Sequence, residues 1–382
     1  MSEPFALYVH LPWCRHVCPY CDFNVYASAA PPESYVEALR TELAAHARDD
    51  AWAGRSVSSV YLGGGTPSLF SPASIAAVLA AVERAFGMQA AAEVTLEANP
   101  GTVSAERLVG YRAAGVNRLS LGAQSFHPQH LRTLGRDHET DDIGAAVDAA
   151  RAAGIANVSL DLIFAVPGET PAEWAADVAA AIALVPMHVS TYSLTYEEGT
   201  PFHIWRARGR VTPVADDDEA TMAGTAAAML EAAGYARYEI SSYARTGYAA
   251  RHNVAYWDGS DYLGVGAGAH SFSRTPGPGR RWMNERLPDR YQARVSATGT
   301  AVGTEERLTD AQARAEFCFC GLRRIAGVDV RGFRERFGVP LDAAYPHVAV
   351  LMADGLVEAV DDRLRLTATG LRFADTVAAS FV

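Results

Sequence analysis

The sequence predicts an α/β protein that consists of a partial (β/α)6 barrel and a small C-terminal winged-helix-like domain. Apolar strand-like segments and amphipathic helical segments alternate six times over the first 235 residues, the order expected of a parallel sheet covered by helices. After about residue 305 the order changes to helices followed by a short hairpin. A length of 382 residues accommodates a barrel-sized domain and a smaller second one.

Each predicted strand of the barrel is followed by one predicted helix. The strands are expected at residues 5–10, 57–62, 93–98, 118–122, 157–164 and 188–194. The helices are expected at residues 33–47, from 72 onward, and at 104–114, 141–153, 171–184 and 217–233. The second helix has a clear start, because Ser71 and Pro72 are residue types preferred at the N-cap and the first helical position.

Three domains or segments are predicted from these patterns. Residues 1–235 form the barrel, residues 236–304 extend it, and residues 305–382 form the winged-helix-like domain. The last domain is expected to contain a helix at 305–324, a short segment at 332–337, a helix at 348–354 and a hairpin at 356–366. It carries 10 arginines against 12 acidic residues, a balance that does not favour binding in a nucleic-acid groove.

Composition and charge exclude several classes of function. The formal charge of -11, without a local basic stripe, makes nucleic acid a poor partner. The chain has no run of 18 apolar residues, so no transmembrane segment is predicted, and we expect a cytoplasmic protein. All 33 basic residues are arginine, which excludes a lysine Schiff base and a P-loop lysine.

Three of the five cysteines lie in one loop after the first strand. Cys14, Cys18 and Cys21 have C-x3-C-x2-C spacing, which allows one loop to place three thiolates around an iron–sulfur cluster. With four irons and three protein ligands, one iron stays open for a small molecule. A zinc site with His16 or His10 as the fourth ligand is the alternative, whereas a disulfide framework is disfavoured by the odd cysteine count.

Polar residues stand at the ends of several other predicted strands. A glycine triplet, residues 63–65, follows the second strand, Glu97 ends the third, Gln124 follows the fourth, and Asp161 lies in the fifth. The carboxyl ends of barrel strands hold the active sites of such folds. We therefore expect these residues and the cysteine loop to converge on one pocket, although any one of them has an ordinary structural explanation.

Two further patterns have structural interpretations. The run from Gly264 to Ala269 fits a G-x-G-x-x-A dinucleotide fingerprint, but the segment after it, 271–279, cannot form the required helix, so close backbone packing is predicted instead. Cys318 and Cys320 lie two residues apart on a predicted helix and therefore on different faces. We expect both to be buried small apolar residues.

With these residues placed, the chain resembles the radical S-adenosylmethionine (SAM) superfamily. The similarity is to the coproporphyrinogen III oxidase-like branch, which contains the oxygen-independent coproporphyrinogen III dehydrogenases and a group of haem chaperones. It runs from about residue 5 to the C-terminus. The motifs that carry it are Cys14-x3-Cys18-x2-Cys21, the GGGTP run at 63–67, EANP at 97–100, GAQSF at 122–126, LGRDH at 134–138 and PGET at 167–170.

The resemblance implies a radical-SAM barrel with two cofactors. Cys14, Cys18 and Cys21 would hold a 4Fe-4S cluster, and SAM would chelate its open iron. Glycine backbone allows close approach of a ligand, and carboxylates accept hydrogen bonds from ribose hydroxyls. The residues implied to line the SAM site are Tyr8, Gly65, Thr66, Glu97, Gln124, Arg136 and Asp161.

Within the branch, two departures disfavour the dehydrogenase. That enzyme has a further cysteine where this chain has Phe23, and it has a longer segment before the cysteine loop. The sequence from His252 to Trp257 instead matches an HNxxYW motif associated with the haem chaperones. The resemblance thus implies a chaperone that binds haem as cargo and delivers it to respiratory haem proteins, at the membrane surface for membrane-bound acceptors. The alternative is a coproporphyrinogen III oxidase-type radical SAM enzyme, and a zinc-stabilised interaction module is a second rival.

The implied haem-binding residues are His252, Asn253, Tyr256 and Trp257. Histidine is a common axial ligand of haem iron, and tyrosine and tryptophan pack on flat macrocycles. A histidine beside aromatic residues is also a frequent structural hydrogen-bonding residue. If His252 has that structural role, His270, Cys318 or another exposed side chain is expected to supply the ligand.

Overall fold

A computed structural model describes residues 3–28 and 30–382. Its strands are β1 (Phe5–Leu11), β2 (Trp13–Cys14), β3 (Tyr26–Ala27), β4 (Val57–Gly64), β5 (Met88–Ala98), β6 (Arg118–Gln124), β7 (Asn157–Phe164), β8 (His188–Ser193), β9 (Ala236–Arg237), β10 (Ser242–Ala244), β11 (Tyr262–Val265), β12 (His270–Ser273), β13 (Arg280–Asn284), β14 (Val302–Arg307), β15 (Val328–Asp329), β16 (Val357–Val360) and β17 (Arg363–Leu366). Its helices are α1 (Glu33–His46), α2 (Pro72–Phe86), α3 (Ala105–Ala114), α4 (Pro128–Thr133), α5 (Thr140–Ala152), α6 (Pro171–Ala183), α7 (Pro201–Ala207), α8 (Asp216–Ala232), α9 (Arg251–Trp257), α10 (Pro288–Thr298), α11 (Asp310–Arg323), α12 (Val330–Phe337), α13 (Leu341–Ala344), α14 (Val348–Ala353), α15 (Ala368–Arg372) and α16 (Ala374–Ala379).

The centre of the fold is an open, mostly parallel sheet. In the described part of the chain its strand order is β14-β13-β12-β11-β1-β4-β5-β6-β7-β8-β10-β9. The six predicted strands are β1, β4, β5, β6, β7 and β8; they are adjacent and parallel, which confirms the partial barrel. A parallel sheet is covered on both faces, so its strands are buried and almost wholly apolar. In agreement, β1 is buried along nearly all of its length.

The helices begin where local sequence signals place them. Ser71 caps α2 by accepting a hydrogen bond from the Ser74 amide, and Pro72 is the first helical residue. Thr170 and Glu173 form a capping box at the start of α6. Two short helices that the sequence did not predict, α4 and α7, each have proline near their first residue.

The segment predicted to extend the barrel contributes to both edges of the sheet. β11 pairs parallel with β1, and β10 pairs antiparallel with β8 at the opposite end. The tight packing predicted for the glycine run is present, since a Cβ on Gly264 would lie 2.1 Å from the His270 carbonyl oxygen. The chain continues from that run into β12 rather than into a helix.

The start of the C-terminal helix was predicted wrongly. Residues 305–307 belong to β14, which pairs with β13, and the helix α11 begins at Asp310 after a capping box formed by Thr309 and Gln312. Beyond it, α11 to α16 and the small sheet β15-β17-β16 enclose a separate apolar core. The division at residue 304 stays a prediction, because β14 carries the main sheet across it. In the described residues, no helix has the length and apolar character needed to cross a bilayer.

Candidate functional site: two adjoining cavities

The cysteine loop and the glycine loop hold each other in place. The Gly65 amide donates to the Leu11 carbonyl at 2.9 Å, and the Thr66 amide donates to the Trp13 carbonyl at 2.8 Å. The Thr66 hydroxyl also donates to the Cys14 sulfur at 3.4 Å. A Cβ on Gly65 would lie 2.6 Å from the Trp13 carbonyl oxygen, so glycine here allows the two loops to approach.

The three predicted ligand cysteines line one cavity of about 580 Å³. All three are free thiols. Burial raises the pKa of Cys14 and raises that of Cys21 to about 11, so without a metal these thiols keep their protons near neutral pH. Binding a metal centre would replace those protons. The cavity is also lined by Gly65, Thr66, Glu97, Gln124, Arg136 and Asp161.

The sequence allows either an iron–sulfur cluster or a zinc ion on the three thiols. In the described residues, one group of three potential metal ligands has all its donor atoms within 4.8 Å of one another. That group is His127, His130 and Glu173, and it does not include the cysteines. A tetrahedral zinc with zinc–sulfur bonds of about 2.3 Å needs sulfurs only about 3.8 Å apart. The three thiols are not gathered as closely as a bound zinc ion would hold them, and the choice between a zinc ion and the cluster stays a prediction.

The predicted fourth zinc ligands are less suitable than the sequence suggested. The two ring nitrogens of His10 are both hydrogen-bonded, to the Tyr8 hydroxyl and to the Asn24 carbonyl, each at 2.9 Å. His16 is exposed, and its Nε2 contacts the Gly135 carbonyl oxygen and lies 4.0 Å from the Cys18 sulfur. Of the two histidines, only His16 is therefore near a thiol.

Two carboxylates stand at the inner end of the cavity. Glu97 accepts hydrogen bonds from the Tyr61 hydroxyl at 2.7 Å and from the Gly64 amide at 3.1 Å. Asp161 accepts from the Ser120 hydroxyl at 2.8 Å. Burial raises the pKa of Glu97 to about 7 and raises that of Asp161. Both side chains are held by hydrogen bonds, Glu97 near the end of β5 and Asp161 within β7, and their carboxyl oxygens can accept from hydroxyls.

Gln124 and Arg136 reach the cavity through unusual local geometry. Gln124 ends β6 with a φ of 65°, a conformation uncommon for a residue other than glycine. The Arg136 guanidinium donates to the Gly122 carbonyl at 3.0 Å and contacts the Cys18 sulfur at 3.8 Å. Its Nε is buried without a hydrogen-bond partner in the described residues. A bound anion or polar ligand would satisfy this donor.

Arg118 is a buried charged residue of the cavity that the sequence analysis missed. Arg118 is only 2% exposed, lines the thiol cavity, and has a buried Nε without a hydrogen-bond partner in the described residues. Its charge lowers the pKa of both Glu97 and Asp161 against the larger effect of burial. The available signal was an arginine at the start of a strand that is otherwise buried, since charged residues are rarely buried without a role.

Tyr8 does not line the thiol cavity, and among the other predicted SAM residues it shares a cavity only with Glu97. Its hydroxyl is bonded to His10, and its ring stacks on Tyr61 with centroids 6.2 Å apart. It lines a second cavity of about 750 Å³. Asp22, Phe23, Gly64 and Glu97 line both cavities and so form the wall between them.

The HNxxYW motif lies on α9 and is divided between the two cavities. Asn253 lines the thiol cavity, whereas Tyr256 and Trp257 line the second cavity. The amides of Arg251 and His252 at the start of α9 donate to the Glu93 carboxylate at 3.2 and 3.1 Å. The motif therefore packs directly against the strands of the barrel.

The geometry does not support His252 as an axial haem ligand. The side chain is 1% exposed, and its two nitrogens bond to the Ser59 hydroxyl at 3.0 Å and the Tyr256 hydroxyl at 2.9 Å. Burial lowers its pKa to about 3, so the ring is neutral. The alternative ligand Cys318 is also excluded by its full burial in the C-terminal core, as predicted for a small apolar residue. Cys320 is only partly buried and lines the second cavity.

Comparison with known proteins agrees with this fold. A family profile described as the radical SAM superfamily matches residues 8–181, and one described as the HemN C-terminal domain matches residues 308–373. The solved structure of coproporphyrinogen III oxidase (HemN) from Escherichia coli superimposes with a TM-score of 0.84 at 24% identity, over 100% of this chain and 90% of that one. At that identity the likeness concerns the fold. The class of the protein is thus the radical SAM superfamily.

Relatives of greater similarity define the family within this class. The Escherichia coli protein named heme chaperone HemW is 43% identical over 272 residues, 70% of each chain. The Bacillus subtilis protein of the same name is 33% identical over 381 residues, 99% of each chain. A Danio rerio relative, the mitochondrial radical S-adenosyl methionine domain-containing protein 1, is 37% identical over 85% of this chain and 73% of its own length. The chain belongs to the HemW family.

Proposed function

We propose that the protein is a haem chaperone that acts in the cytoplasm and delivers haem to respiratory haem proteins, including acceptors at the membrane surface. The observation that carries this proposal is the second cavity, which adjoins the thiol cavity and is lined by Tyr256 and Trp257 of the HNxxYW motif. Its volume of about 750 Å³ lies within the range of roughly 300–1,000 Å³ that holds organic ligands. The names of the HemW relatives support haem as the cargo.

The thiol cavity fits the two cofactors expected in this superfamily. Three unpaired thiols line one cavity, so Cys14, Cys18 and Cys21 would hold the 4Fe-4S cluster. Gly65, Thr66, Glu97, Gln124, Arg136 and Asp161 would bind SAM, with Glu97 and Asp161 accepting from its hydroxyls. When bound, the cluster supplies an open iron and an electron source. Tyr8 would contribute from the neighbouring cavity.

Haem transfer tests this function against the enzymatic alternative. Protein purified and reconstituted without oxygen is titrated with haem, with and without SAM, and then mixed with an apo-cytochrome b. We expect haem to bind and to move to the acceptor, with no decarboxylation of coproporphyrinogen III. Turnover of coproporphyrinogen under the same reducing conditions would contradict the proposal and favour the oxidase. Metal and sulfide analysis of the same preparation tests the cluster against zinc.

A further inference from the structure

We infer that haem in the second cavity is ligated by the imidazole of His270 and that Arg286 binds one of its propionates. This assignment rests on the proposed haem-binding function and goes beyond it, because it replaces the motif histidine as the ligand. Histidine is a common protein ligand of haem iron, and arginine is well suited to carboxylates because its donors match their geometry.

Among the histidines near the cavity, His270 has the free ring. His10 and His252 each use both ring nitrogens in hydrogen bonds, so ligation would require breaking one of those bonds. His270 is exposed and lines the cavity at the start of β12. In the described residues, no hydrogen bond or ion pair involves its ring. Burial, with the charges of Arg286 and Arg281, lowers its pKa, which keeps the ring in the neutral form that binds metals.

The other soft donors of the cavity are less suited to the iron. Burial raises the pKa of Cys320 to about 11, so ligation by its thiolate would require the loss of a proton at neutral pH, which a neutral imidazole does not need. Met283 pairs directly with His270 across β12 and β13. Directly opposed residues of antiparallel strands project to the same face of the sheet, so these two donors approach from the same side of the cavity. The neutral imidazole is the stronger ligand of the two.

The charges around the cavity indicate where a propionate binds. Arg281 is already held by Glu306 and Glu316. Arg286 lines the same cavity, and in the described residues its guanidinium has no carboxylate partner. Its backbone carbonyl is held by the Asn24 amide at 2.9 Å and the Tyr26 hydroxyl at 3.1 Å, which fixes the start of the side chain. An unpaired cation near the free imidazole, on a backbone held in place, suits a ligand that combines a metal with an anionic edge.

The ligand is tested by titrating the full-length, cluster-loaded protein with ferric haem without oxygen. Difference absorption and electron paramagnetic resonance then report the axial ligand. His270→Ala is expected to lower haem affinity roughly tenfold to a hundredfold, as when one strong polar contact is lost, and to change the spectrum. Added imidazole should restore the spectrum. His347→Ala, a histidine of the C-terminal domain that lines neither cavity, is the matched control and should behave as wild type.

The propionate contact has a separate test. Arg286→Gln should weaken binding of haem about tenfold while binding of haem dimethyl ester, whose carboxylates are blocked, stays as in wild type. An equal loss for both ligands would overturn the role of Arg286.

The outcomes separate this assignment from the function on which it rests. If wild type binds no haem, the proposed chaperone function itself fails. If wild type binds haem and His270→Ala has the same affinity and spectrum, the ligand assignment is overturned while the function stands. A spectral change in His252→Ala that added imidazole reverses, with no change in His270→Ala, would return the ligand to the motif.

Discussion

Removing the imidazole of His252 should destabilise the barrel. His252→Ala leaves the Ser59 hydroxyl and the Tyr256 hydroxyl without their partner in a buried environment, and each unsatisfied group costs about 1–3 kcal/mol. The ring also stacks on Tyr61 with centroids 5.1 Å apart, a contact worth about 0.5–1.5 kcal/mol. Allowing for partial rearrangement of the two hydroxyls, we expect the free energy of unfolding to fall by about 3–5 kcal/mol.

Denaturant unfolding followed by circular dichroism measures this loss, on preparations with equal iron content. His270→Ala is the matched control, because an exposed ring without hydrogen bonds should change stability by less than about 0.5 kcal/mol. Tyr256→Phe, which removes one of the two hydrogen bonds, should fall between them. An unfolding midpoint for His252→Ala equal to that of wild type would refute the buried network and leave the ring free for ligation.

The pH dependence of folding stability gives a second check on the hydrogen bonds of His252. The pKa of His252 is lowered from 6.5 to about 3 in the folded protein because burial disfavours its charged form. Below pH 6.5 the unfolded chain therefore takes up a proton that the folded chain does not. The contribution of His252 to the free energy of unfolding is therefore complete above pH 6.5 and is lost as the pH falls from 6.5 towards 3. The difference in stability between wild type and His252→Ala should shrink over that range.

Three further changes test the thiol cavity and one buried carboxyl group. Cys18→Ala should abolish cluster assembly, with iron and sulfide content near zero, whereas Cys320→Ala should assemble normally; wild-type iron content in Cys18→Ala would exclude it as a ligand. Gly65→Val should lower both iron content and SAM affinity, because its Cβ would lie 2.6 Å from the Trp13 carbonyl oxygen and displace the cysteine loop; loss of SAM binding alone, measured by calorimetry, would contradict this. Glu169→Gln should become increasingly stable relative to wild type as the pH rises from 4.5 to about 8, because burial raises the pKa of Glu169 from 4.5 to about 8 and its ionisation disfavours the folded state. A stability difference that does not change over that pH range would show that Glu169 does not titrate in this way.

The sequence was sufficient for features that depend on neighbouring residues. The six parallel strands followed from apolar runs, and the start of α2 followed from Ser71 and Pro72. The cysteine spacing placed three thiols on one loop, and the strand-end rule placed Glu97 and Asp161 beside them. In each case the signal lies within a few residues, or follows from the shared direction of parallel strands.

The features that the sequence did not reveal concern contacts between distant parts of the chain. The burial of His252 depends on Ser59 in β4, which lies 193 residues earlier. The need for glycine at position 65 comes from the backbone at Trp13, which a Cβ on Gly65 would contact. Residues 305–307 form a strand because β13 provides a pairing edge for them. No local pattern reports these partners, so a motif can be identified in the sequence before the role of each of its residues is known.

The position of α9 explains why its motif can matter without supplying a ligand. Asn253 faces the thiol cavity, Tyr256 and Trp257 face the second cavity, and His252 fastens the helix between them to the barrel. The ring of His252 also stacks on Tyr61, whose hydroxyl donates to Glu97 in the wall shared by both cavities. A single series of contacts thus runs from the carboxylate proposed to bind SAM to the aromatic residues proposed to hold haem. Loss of His252 would disturb both sites together, which is why a functional defect in that variant does not by itself identify an axial ligand.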